Sequence, residues 1–212
     1  MSLKNKKILI TCGPTWVPVD GVRVLSNIST GEMGHRLADR IAAAGGKVTL
    51  LEGPVTHAYR GRPVKIKKYL YFDELKRLLE SELRKAYDAV IHAAAVSDYR
   101  LKKTRAAKIR SDAKRLTLTL VPTEKLIDRI RARARLVVLV GFKLETVAGN
   151  SRLLRNARAL LKRAGCDFVV ANTLANGYRG WVFGSSGRVL AKASSRNGLA
   201  KQLIRLMKER LP

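Results

Sequence analysis

Short apolar runs alternate with segments of helical hydrophobic spacing along the whole chain, and this alternation limits the possible folds more than any other feature. The run DAVIHAAA at 88–95 is almost continuously apolar, which is typical of a central parallel strand buried on both faces. Strands are predicted at 7–11, 47–51, 64–70, 88–95, 136–141 and 167–171, and helices at 31–44, 74–87, 124–133, 150–164 and 195–210. The alternation predicts an α/β fold with a doubly wound, mostly parallel sheet, helices on both faces and a ligand crevice at the carboxyl ends of the strands.

Two segments depart from this Rossmann-like pattern. Residues 97–114 carry many basic groups without a clean period, which indicates a basic flap beside the sheet, and alternating Leu and Thr predict a half-exposed strand at 116–120. Residues 181–183 and 188–190 flank the turn Ser185-Ser186-Gly187, which predicts a C-terminal antiparallel hairpin. No repeat or linker interrupts the pattern, so residues 1–212 are expected to form a single domain.

The charge balance is strongly basic. Lys and Arg number 43 against 16 Asp and Glu, giving a formal net charge of +27. The basic residues are spread along the chain and would attract polyanions. No zinc-finger spacing, RNA-binding aromatic run or basic-zipper heptad accompanies them. Non-specific polyanion binding is therefore expected rather than a dedicated nucleic-acid site.

The sequence also bears on compartment. No stretch approaches the ~18–20 apolar residues of a membrane span, and the apolar run at 8–11 is shorter than the ~7–15 residues of a signal-peptide core. We therefore expect a cytoplasmic protein without membrane contact. Cys12 and Cys166 are far apart and in no metal-ligand spacing, so neither a disulfide framework nor a zinc site is expected, and each should be buried as a small residue.

The loop at 13–34 is the first candidate for chemistry. It begins at Gly13 after the first strand and ends at a helix N-terminus, where unpaired backbone amides favour phosphate. Ser29, Thr30, Gly31 and Gly34 are candidates for this cradle. The loop is neither a Walker loop nor a G-x-G-x-x-G fingerprint, and taken alone its glycines fit turn geometry equally well.

Several motifs occur in an order that resembles a known family. They are GPT at 13–15, VRVLSN at 22–27, STGEMG at 29–34, AAAVSDYR at 93–100, Lys108-Ile109, Val140-Gly141-Phe142 with Glu145-Thr146, and VVAN at 169–172. In this order and spacing the chain resembles the phosphopantothenoylcysteine synthetases over nearly its whole length, as a single synthetase domain.

The resemblance implies a two-step ligation in coenzyme A biosynthesis. The carboxylate of phosphopantothenate attacks the α-phosphorus of CTP, or of ATP in some eukaryotes, and the cysteine amine then displaces CMP or AMP from the acyl intermediate. The resemblance places Asn27 at the acyl intermediate, Arg23 near it, and Lys108 of the flap beside the α-phosphoryl group. Mg²⁺ is expected with the nucleotide, CTP is expected as the donor rather than ATP, and no FMN is expected in this chain. A homodimer is implied as well.

The resemblance also implies a set of nucleotide-binding residues. Small side chains at the end of the central strand let the base or ribose approach, an Asp accepts hydrogen bonds from the sugar or base, a Phe covers the base, and a helix N-terminus cradles the nucleotide. The matching positions are Ala94, Ala95, Asp98, Phe142, Glu124, Lys125, Leu126 and Ile127, in addition to Gly13 and the cradle residues.

The chain departs from the family pattern at two places. The flap retains its first lysine in Lys108-Ile109-Arg110-Ser111 but not its third. The helix before VVAN has Leu160 and Ala164 where the family usually has lysines that face the nucleotide. Lys162, Arg163 and Lys143 are candidates to supply the missing charge.

Two rival functions remain open from the sequence. A short-chain NAD(P)-dependent oxidoreductase would need a Tyr-x-x-x-Lys pair, and Tyr99 with Lys103 has that spacing, although in a basic loop. A basic nucleic-acid-binding protein on the same scaffold would bind DNA or RNA with a steep salt dependence.

Overall fold

A central sheet of eight strands forms the middle of this computed structural model, which describes residues 2–110, 112, 114–145, 150–174 and 177–211. The strands of the central sheet are β1 (Lys7–Cys12), β4 (Lys47–Glu52), β5 (Lys65–Lys68), β6 (Ala89–His92), β9 (Val138–Glu145), β10 (Phe168–Thr173), β11 (Arg179–Gly184) and β12 (Val189–Ala193). Two small hairpins lie outside it, formed by β2 (Trp16–Pro18) with β3 (Val24–Ser26) and by β7 (Tyr99–Leu101) with β8 (Leu120–Pro122). The helices are α1 (Glu32–Ala43), α2 (Phe72–Glu82), α3 (Leu126–Arg133), α4 (Asn150–Ala164) and α5 (Arg196–Arg210).

The strand order creates a crevice in the middle of the sheet. The order is β12-β11-β10-β9-β6-β1-β4-β5, with all pairs parallel except those of β11 with β10 and with β12. The chain leaves β1 towards β4 on one side and leaves β6 towards β9 on the other. Loops that diverge from adjacent strands open a ligand crevice at the carboxyl ends of those strands. The doubly wound, mostly parallel sheet and the C-terminal hairpin are confirmed.

Helices cover both faces of the sheet. Alternate residues of β1 point to opposite faces, so that Ile8 and Ile10 enter one core cluster with α1 and α5 while Leu9 enters the other with α2, α3 and α4. All three side chains are fully buried. Burying a side chain of this size contributes about 1.5–3 kcal/mol, so the near-continuous apolar runs of the parallel strands are what hold the two helical layers to the sheet.

The second helix differs at both ends from the predicted range 74–87. It begins at Phe72 because the Glu74 carboxylate accepts hydrogen bonds from the backbone N–H groups of Leu70 and Tyr71, at 2.7 and 3.3 Å. It ends at Glu82, whose buried carboxylate accepts hydrogen bonds from Lys85 Nζ and from the Tyr87 hydroxyl. These contacts fold the following residues back onto the helix end.

The strand predicted at 116–120 was wrong. Only Leu120 of that range lies in a strand, where β8 pairs with β7, and the last link is the Lys102 N–H to the Thr119 carbonyl at 2.9 Å. The alternating Leu and Thr have no partner strand there among the described residues. Their alternation therefore does not correspond to a hydrogen-bonded strand. The hairpin of β2 and β3, inside the loop at 13–34, was not predicted.

Further features concern the cysteines, the helices and two motif residues. Both cysteines are buried and free of disulfides. Among the described residues, no helix is both long enough and apolar enough to cross a membrane. Ser111 of the flap and Thr146 of the motif after β9 lie outside the described residues.

Candidate active site

Three glycines meet at the mouth of the crevice. Gly13 follows β1 with φ +80°, and Gly31 precedes α1 with φ +72°, a backbone region that glycine occupies at little cost. A Cβ on Gly31 would lie 2.7 Å from Val55 Cγ1 and 3.5 Å from the Gly13 nitrogen, and one on Gly34 would lie 2.3 Å from Cys12 Cβ. The loop therefore closes tightly on the end of β1, and the N-cap residue of α1, Gly31, has no side chain that could cap the helix. The predicted cradle is brought together at this point.

Ser29 and Thr30 complete the loop before α1. Thr30 Oγ1 accepts a weak hydrogen bond from the Glu32 N–H, at 3.4 Å. Ser29 is half-buried and Thr30 is exposed. Both residues directly precede Gly31 in the chain, and their predicted contact with phosphate stays a prediction.

Asn27 crosses from the same loop to the end of the central strand. Its Nδ2 donates hydrogen bonds to the carbonyls of Ala95 and Val96, at 3.1 and 3.3 Å. Its Oδ1 accepts no hydrogen bond from any residue that the structure describes. The exposed amide of Asn27 thus sits over the crevice, next to the Ala94-Ala95 segment that the sequence predicts for nucleotide contact.

The Ala94-Ala95 segment is held by the first strand. The Ala95 N–H donates to the Gly13 carbonyl at 2.9 Å, and the Ala94 N–H donates to Thr11 Oγ1 at 3.2 Å. Thr11 Oγ1 also lies 2.9 Å from Nδ1 of His92. Burial lowers the pKa of His92 to about 4, so the ring is neutral at pH 7 and can accept the Thr11 proton. Thr11 and His92 carried no motif, and sequence reasoning missed this support.

A buried carboxylate joins Arg23 to the flap. Asp20 has a fully buried side chain, and its Oδ2 lies 2.5 Å from Arg23 Nη1 and 2.9 Å from the backbone nitrogen of Ile109. Arg23 Nη1 also donates to the Ile109 carbonyl at 3.2 Å. The hydrogen bond from the Ile109 N–H, with others from Val22 and Arg23, lowers the pKa of Asp20 to about 2 against the opposing effect of burial.

This link brings Ile109, the flap residue that follows Lys108, into contact with Arg23. Lys108 is exposed, directly precedes Ile109, and has no ion-pair partner in the described part of the chain. Two cations of the predicted catalytic set therefore flank one loop-to-flap contact. Asp20 was not predicted, because nothing near it in the sequence shows that its partner is a backbone amide of the flap.

The predicted nucleotide-binding positions at the start of α3 divide into two groups. Lys125 Nζ forms an ion pair with Asp98 Oδ1 at 2.6 Å, and the Thr123 N–H donates to the Asp98 carbonyl at 2.9 Å. The start of α3 thus lies beside Asp98, and no side chain caps that helix within the described residues. Glu124 points elsewhere, into an ion-pair cluster with Lys76 and Arg129.

Other predicted positions face the core. Leu126 and Ile127 are buried against the sheet, so only their backbone groups are near the crevice. Phe142 is half-buried on β9 and packs on the opposite face, against the core cluster of α1 and α5. Of the predicted residues, the structure brings Asn27 to the Ala95 carbonyl, pairs Lys125 with Asp98 and joins Arg23 to the flap at Ile109, next to Lys108. Glu124 belongs to a separate ion-pair cluster.

The two positions that lack family lysines are apolar and packed. Ala164 is buried, and Leu160 Cδ2 lies 3.3 Å from where a Cβ on Gly141 would stand. Among the candidate replacements, Arg163 forms an ion pair with Asp128, and Lys143 Nζ lies 3.7 Å from a Glu145 oxygen. Lys162 is exposed. Two of the three replacement cations are thus already paired.

The oxidoreductase pair does not have the geometry of a catalytic Tyr-x-x-x-Lys. Tyr99 lies in β7, and Lys103 follows that strand in an irregular segment. The two side chains therefore do not share one face of a helix, which is the arrangement that this spacing serves.

Comparisons with known proteins place the chain. Residues 3–211 match the family model of the DNA/pantothenate metabolism flavoprotein C-terminal domain. The Coenzyme A biosynthesis bifunctional protein CoaBC of Thermococcus kodakarensis is 39% identical over 175 residues, which cover 82% of this chain and 42% of that protein. The chain spans about half the length of the curated relatives it matches.

Solved structures agree on the fold. The crystal structure of the DNA/pantothenate metabolism flavoprotein from Streptococcus pneumoniae has a TM-score of 0.88 at 24% identity, covering 97% of this chain and 99% of that chain. A Cab2 mutant in complex with phosphopantothenate-cysteine has a TM-score of 0.77 at 20% identity, covering 97% and 87%. Since the family model matches almost the whole chain, the resemblance drawn from the motifs is confirmed, and the chain belongs to the family of DNA/pantothenate metabolism flavoprotein C-terminal domains.

Proposed function

We propose that this chain ligates phosphopantothenate to cysteine through an acyl-nucleotide intermediate. The observation that carries the proposal is the Asn27 amide, which donates to the carbonyl of Ala95, the residue that is itself hydrogen-bonded to Gly13 of the glycine cradle. Asp20 in addition joins Arg23 to the flap at Ile109, the residue after Lys108. Further support comes from the relatives, one named as a coenzyme A biosynthesis protein and one solved in complex with phosphopantothenate-cysteine.

The first step joins two anions. A carboxylate oxygen of phosphopantothenate attacks the α-phosphorus of the nucleotide, the bond from that phosphorus to the bridging oxygen breaks, and pyrophosphate leaves. Fixed positive charge lowers such a barrier most, because it offsets the repulsion between carboxylate and triphosphate. Arg23 and Lys108 supply this charge. Asp20 holds the Arg23 guanidinium and the flap backbone at Ile109 in fixed positions.

Asn27 orients the acyl group. Its Nδ2 donates to two backbone carbonyls, and the weaker contact, to Val96 at 3.3 Å, is the one that a substrate oxygen would replace. In the second step the cysteine amine attacks the acyl carbon, the bond from that carbon to the nucleotide oxygen breaks, and the nitrogen loses a proton to solvent. The same Asn27 donor would then stabilise the oxygen on which negative charge develops.

The nucleotide would lie between the glycine cradle and the start of α3. Asp98 would accept hydrogen bonds from its sugar or base, and we favour CTP over ATP on the family resemblance. Mg²⁺ would be held by the nucleotide's own phosphates and would reduce their charge. Asp98 fits that arrangement, because its carboxylate is paired with Lys125 and is not needed as a metal ligand.

We also propose a homodimer in the cytoplasm. Several apolar side chains of the flap region are exposed, namely Tyr99, Leu116 and Leu120. Covering them in a second copy would remove apolar surface from water. Sedimentation of the purified chain measures this directly, and a monomer at micromolar concentration would contradict it.

Pyrophosphate release tests the ligase. Purified protein is given phosphopantothenate and Mg²⁺ with CTP or ATP, with and without cysteine. We expect release with CTP that rises with cysteine, and a loss of about 10²–10³-fold in Asn27→Ala, the usual cost of removing one oriented donor. Lys108→Ala should also lose activity, whereas Lys103→Ala, which removes the same charge from the same flap, should retain it. Absence of release with both nucleotides, or equal loss in the two lysine variants, would overturn the proposal.

A further inference from the structure

Three side chains of metal-binding type meet under the glycine cradle. Cys12, His35 and Glu52 each place one ligand atom within 4.8 Å of the other two. Cys12 and Glu52 are register partners at the ends of the adjacent strands β1 and β4. His35 lies in the first turns of α1, and its neighbour Gly34 lets that helix close onto Cys12. Their meeting is therefore built by three elements of the central fold.

The cluster is shielded from water and holds few other polar contacts. Cys12 and Glu52 are buried, and the His35 side chain is 16% exposed. His35 Nε2 lies 2.7 Å from Glu52 Oε1, which also accepts the Tyr59 N–H at 3.1 Å. Lys68 Nζ stands 3.7 Å from the other carboxylate oxygen. No described residue forms a hydrogen bond with the Cys12 sulfur.

We propose that Cys12, His35 and Glu52 bind one divalent transition-metal ion, Zn²⁺ in first place, with water as a fourth ligand. A thiolate, an imidazole and a carboxylate are the donors that Zn²⁺ takes in proteins, whereas Mg²⁺ prefers oxygen alone. Ligand atoms around tetrahedral Zn²⁺ stand about 3.3–3.8 Å apart for bonds of roughly 2.0–2.3 Å. The three ligand atoms lie within 4.8 Å of one another, so side-chain movements on that scale would bring them to this spacing.

Binding exchanges a proton for the metal. The Cys12 thiol loses its proton to solvent as the sulfur–metal bond forms, and the His35–Glu52 hydrogen bond gives way to two metal bonds. The metal competes with that proton, so affinity should rise with pH.

The metal site is separate from the nucleotide's Mg²⁺ and independent of the proposed ligation. A Cβ on Gly31 would stand 3.6 Å from the Cys12 sulfur, so the cluster lies directly behind the cradle. A bound ion would tie β1, β4 and α1 together at the base of this loop. It would raise the melting temperature of the free protein, because it binds the folded state alone.

A Co²⁺ titration of the full chain tests the site without substrate. Protein stripped with a chelator should take up one Co²⁺ with a thiolate-to-cobalt charge-transfer band in the near ultraviolet, and Zn²⁺ should displace it. Cys12→Ser should abolish the band. His35→Gln should weaken binding by more than about 100-fold, since losing an outer-shell partner alone costs roughly 10–100-fold.

The second cysteine provides the matched control. Cys166 is also buried and free, but it belongs to the other core cluster. Cys166→Ser should keep the band, the stoichiometry and the metal-dependent rise in melting temperature. The His35 side chain is partly exposed, so the His35→Gln variant should fold even if the Cys12→Ser variant does not. Absence of the band in the unaltered chain, or its persistence in His35→Gln at unchanged affinity, would overturn the proposal.

Discussion

The carboxylate of Asp20 accepts a hydrogen bond from the backbone N–H of Ile109 over 2.9 Å, although 89 positions separate the two residues. The same carboxylate holds Arg23, so one buried acid joins the loop that carries Arg23 to the flap that carries Lys108. The geometry makes Asp20 a positioning residue for two cations of the proposed ligase.

Asp20→Asn should lower kcat for pyrophosphate release by about 10–100-fold, with a smaller change in the KM for nucleotide. The reason is that Arg23 and Lys108 would still be present but would no longer be held in position for the reaction. Asp39→Asn is the matched control. The Asp39 carboxylate also accepts hydrogen bonds from an arginine side chain and from a backbone N–H, both of Arg62, on another part of the surface. Steady-state kinetics of both variants measure the difference. Equal losses of kcat would show that Asp20 acts only through general stability.

Asp98→Ala should raise the KM for nucleotide by about tenfold, which corresponds to the binding free energy of one hydrogen bond. It should leave the melting temperature unchanged. The ion pair of Asp98 with Lys125 is exposed, and such pairs contribute little to stability. Glu209→Ala removes a similarly exposed pair with Arg205 on α5 and should change neither quantity. A fall in melting temperature without a change in KM would mean that Asp98 only holds its loop.

Gly31→Ala should destabilise the fold more than Gly177→Ala. Both glycines have positive φ, +72° and +88°, and an L-residue there costs roughly 1–2 kcal/mol. Only at Gly31 would the added Cβ meet an obstacle, Val55 Cγ1 at 2.7 Å, which adds about 1–3 kcal/mol. Urea unfolding measures the difference, and equal costs at both positions would mean that Val55 moves aside freely.

Glu82 should make stability depend on pH at the acid side. Burial raises the pKa of Glu82, but hydrogen bonds from Lys67, Lys85 and Tyr87 outweigh it and lower the pKa from 4.5 to about 2. A lowered pKa stabilises the fold fully above 4.5, and the contribution is lost as the pH falls towards 2. Glu82→Gln should therefore cost about 1.5–3 kcal/mol at pH 7, the value of hydrogen bonds to a charged group.

The control for Glu82 is the same measurement at low pH. The difference in unfolding free energy between Glu82→Gln and the unaltered chain should shrink as the pH is lowered from 5 to about 2, because both then carry an uncharged group. A difference that is constant with pH would show that the ion pairs of Glu82 do not contribute.

The charge of +27 should give salt-sensitive binding to nucleic acid that is unrelated to catalysis. If about 6–10 phosphates are contacted, affinity for duplex DNA should fall by roughly 10³–10⁵ between about 50 and 200 mM salt. Pyrophosphate release should persist at the higher salt. Tight DNA binding at physiological salt would instead favour the nucleic-acid function.

Much of the fold was predictable from the sequence, because hydrophobic period is a local property. The helix at 150–164 and the strand that starts at Lys7 follow from spacing that a residue's near neighbours determine. Where a period had no partner strand, as at 116–120, the same reasoning failed. Motif order identified the family, since each motif is contiguous.

Only the tertiary structure decided the contacts between elements that are distant in the sequence. Three such contacts are the pairing of Asp20 with Ile109, the ion pair of Glu124 with Lys76, and the meeting of Cys12, His35 and Glu52. They depend on which strands are adjacent and on which face each helix packs. A cysteine alone in sequence, in no ligand spacing, is thereby placed beside two further donors. The apolar period sets which residues are buried but not their order across the sheet, and that order is what brings polar groups from separate elements together.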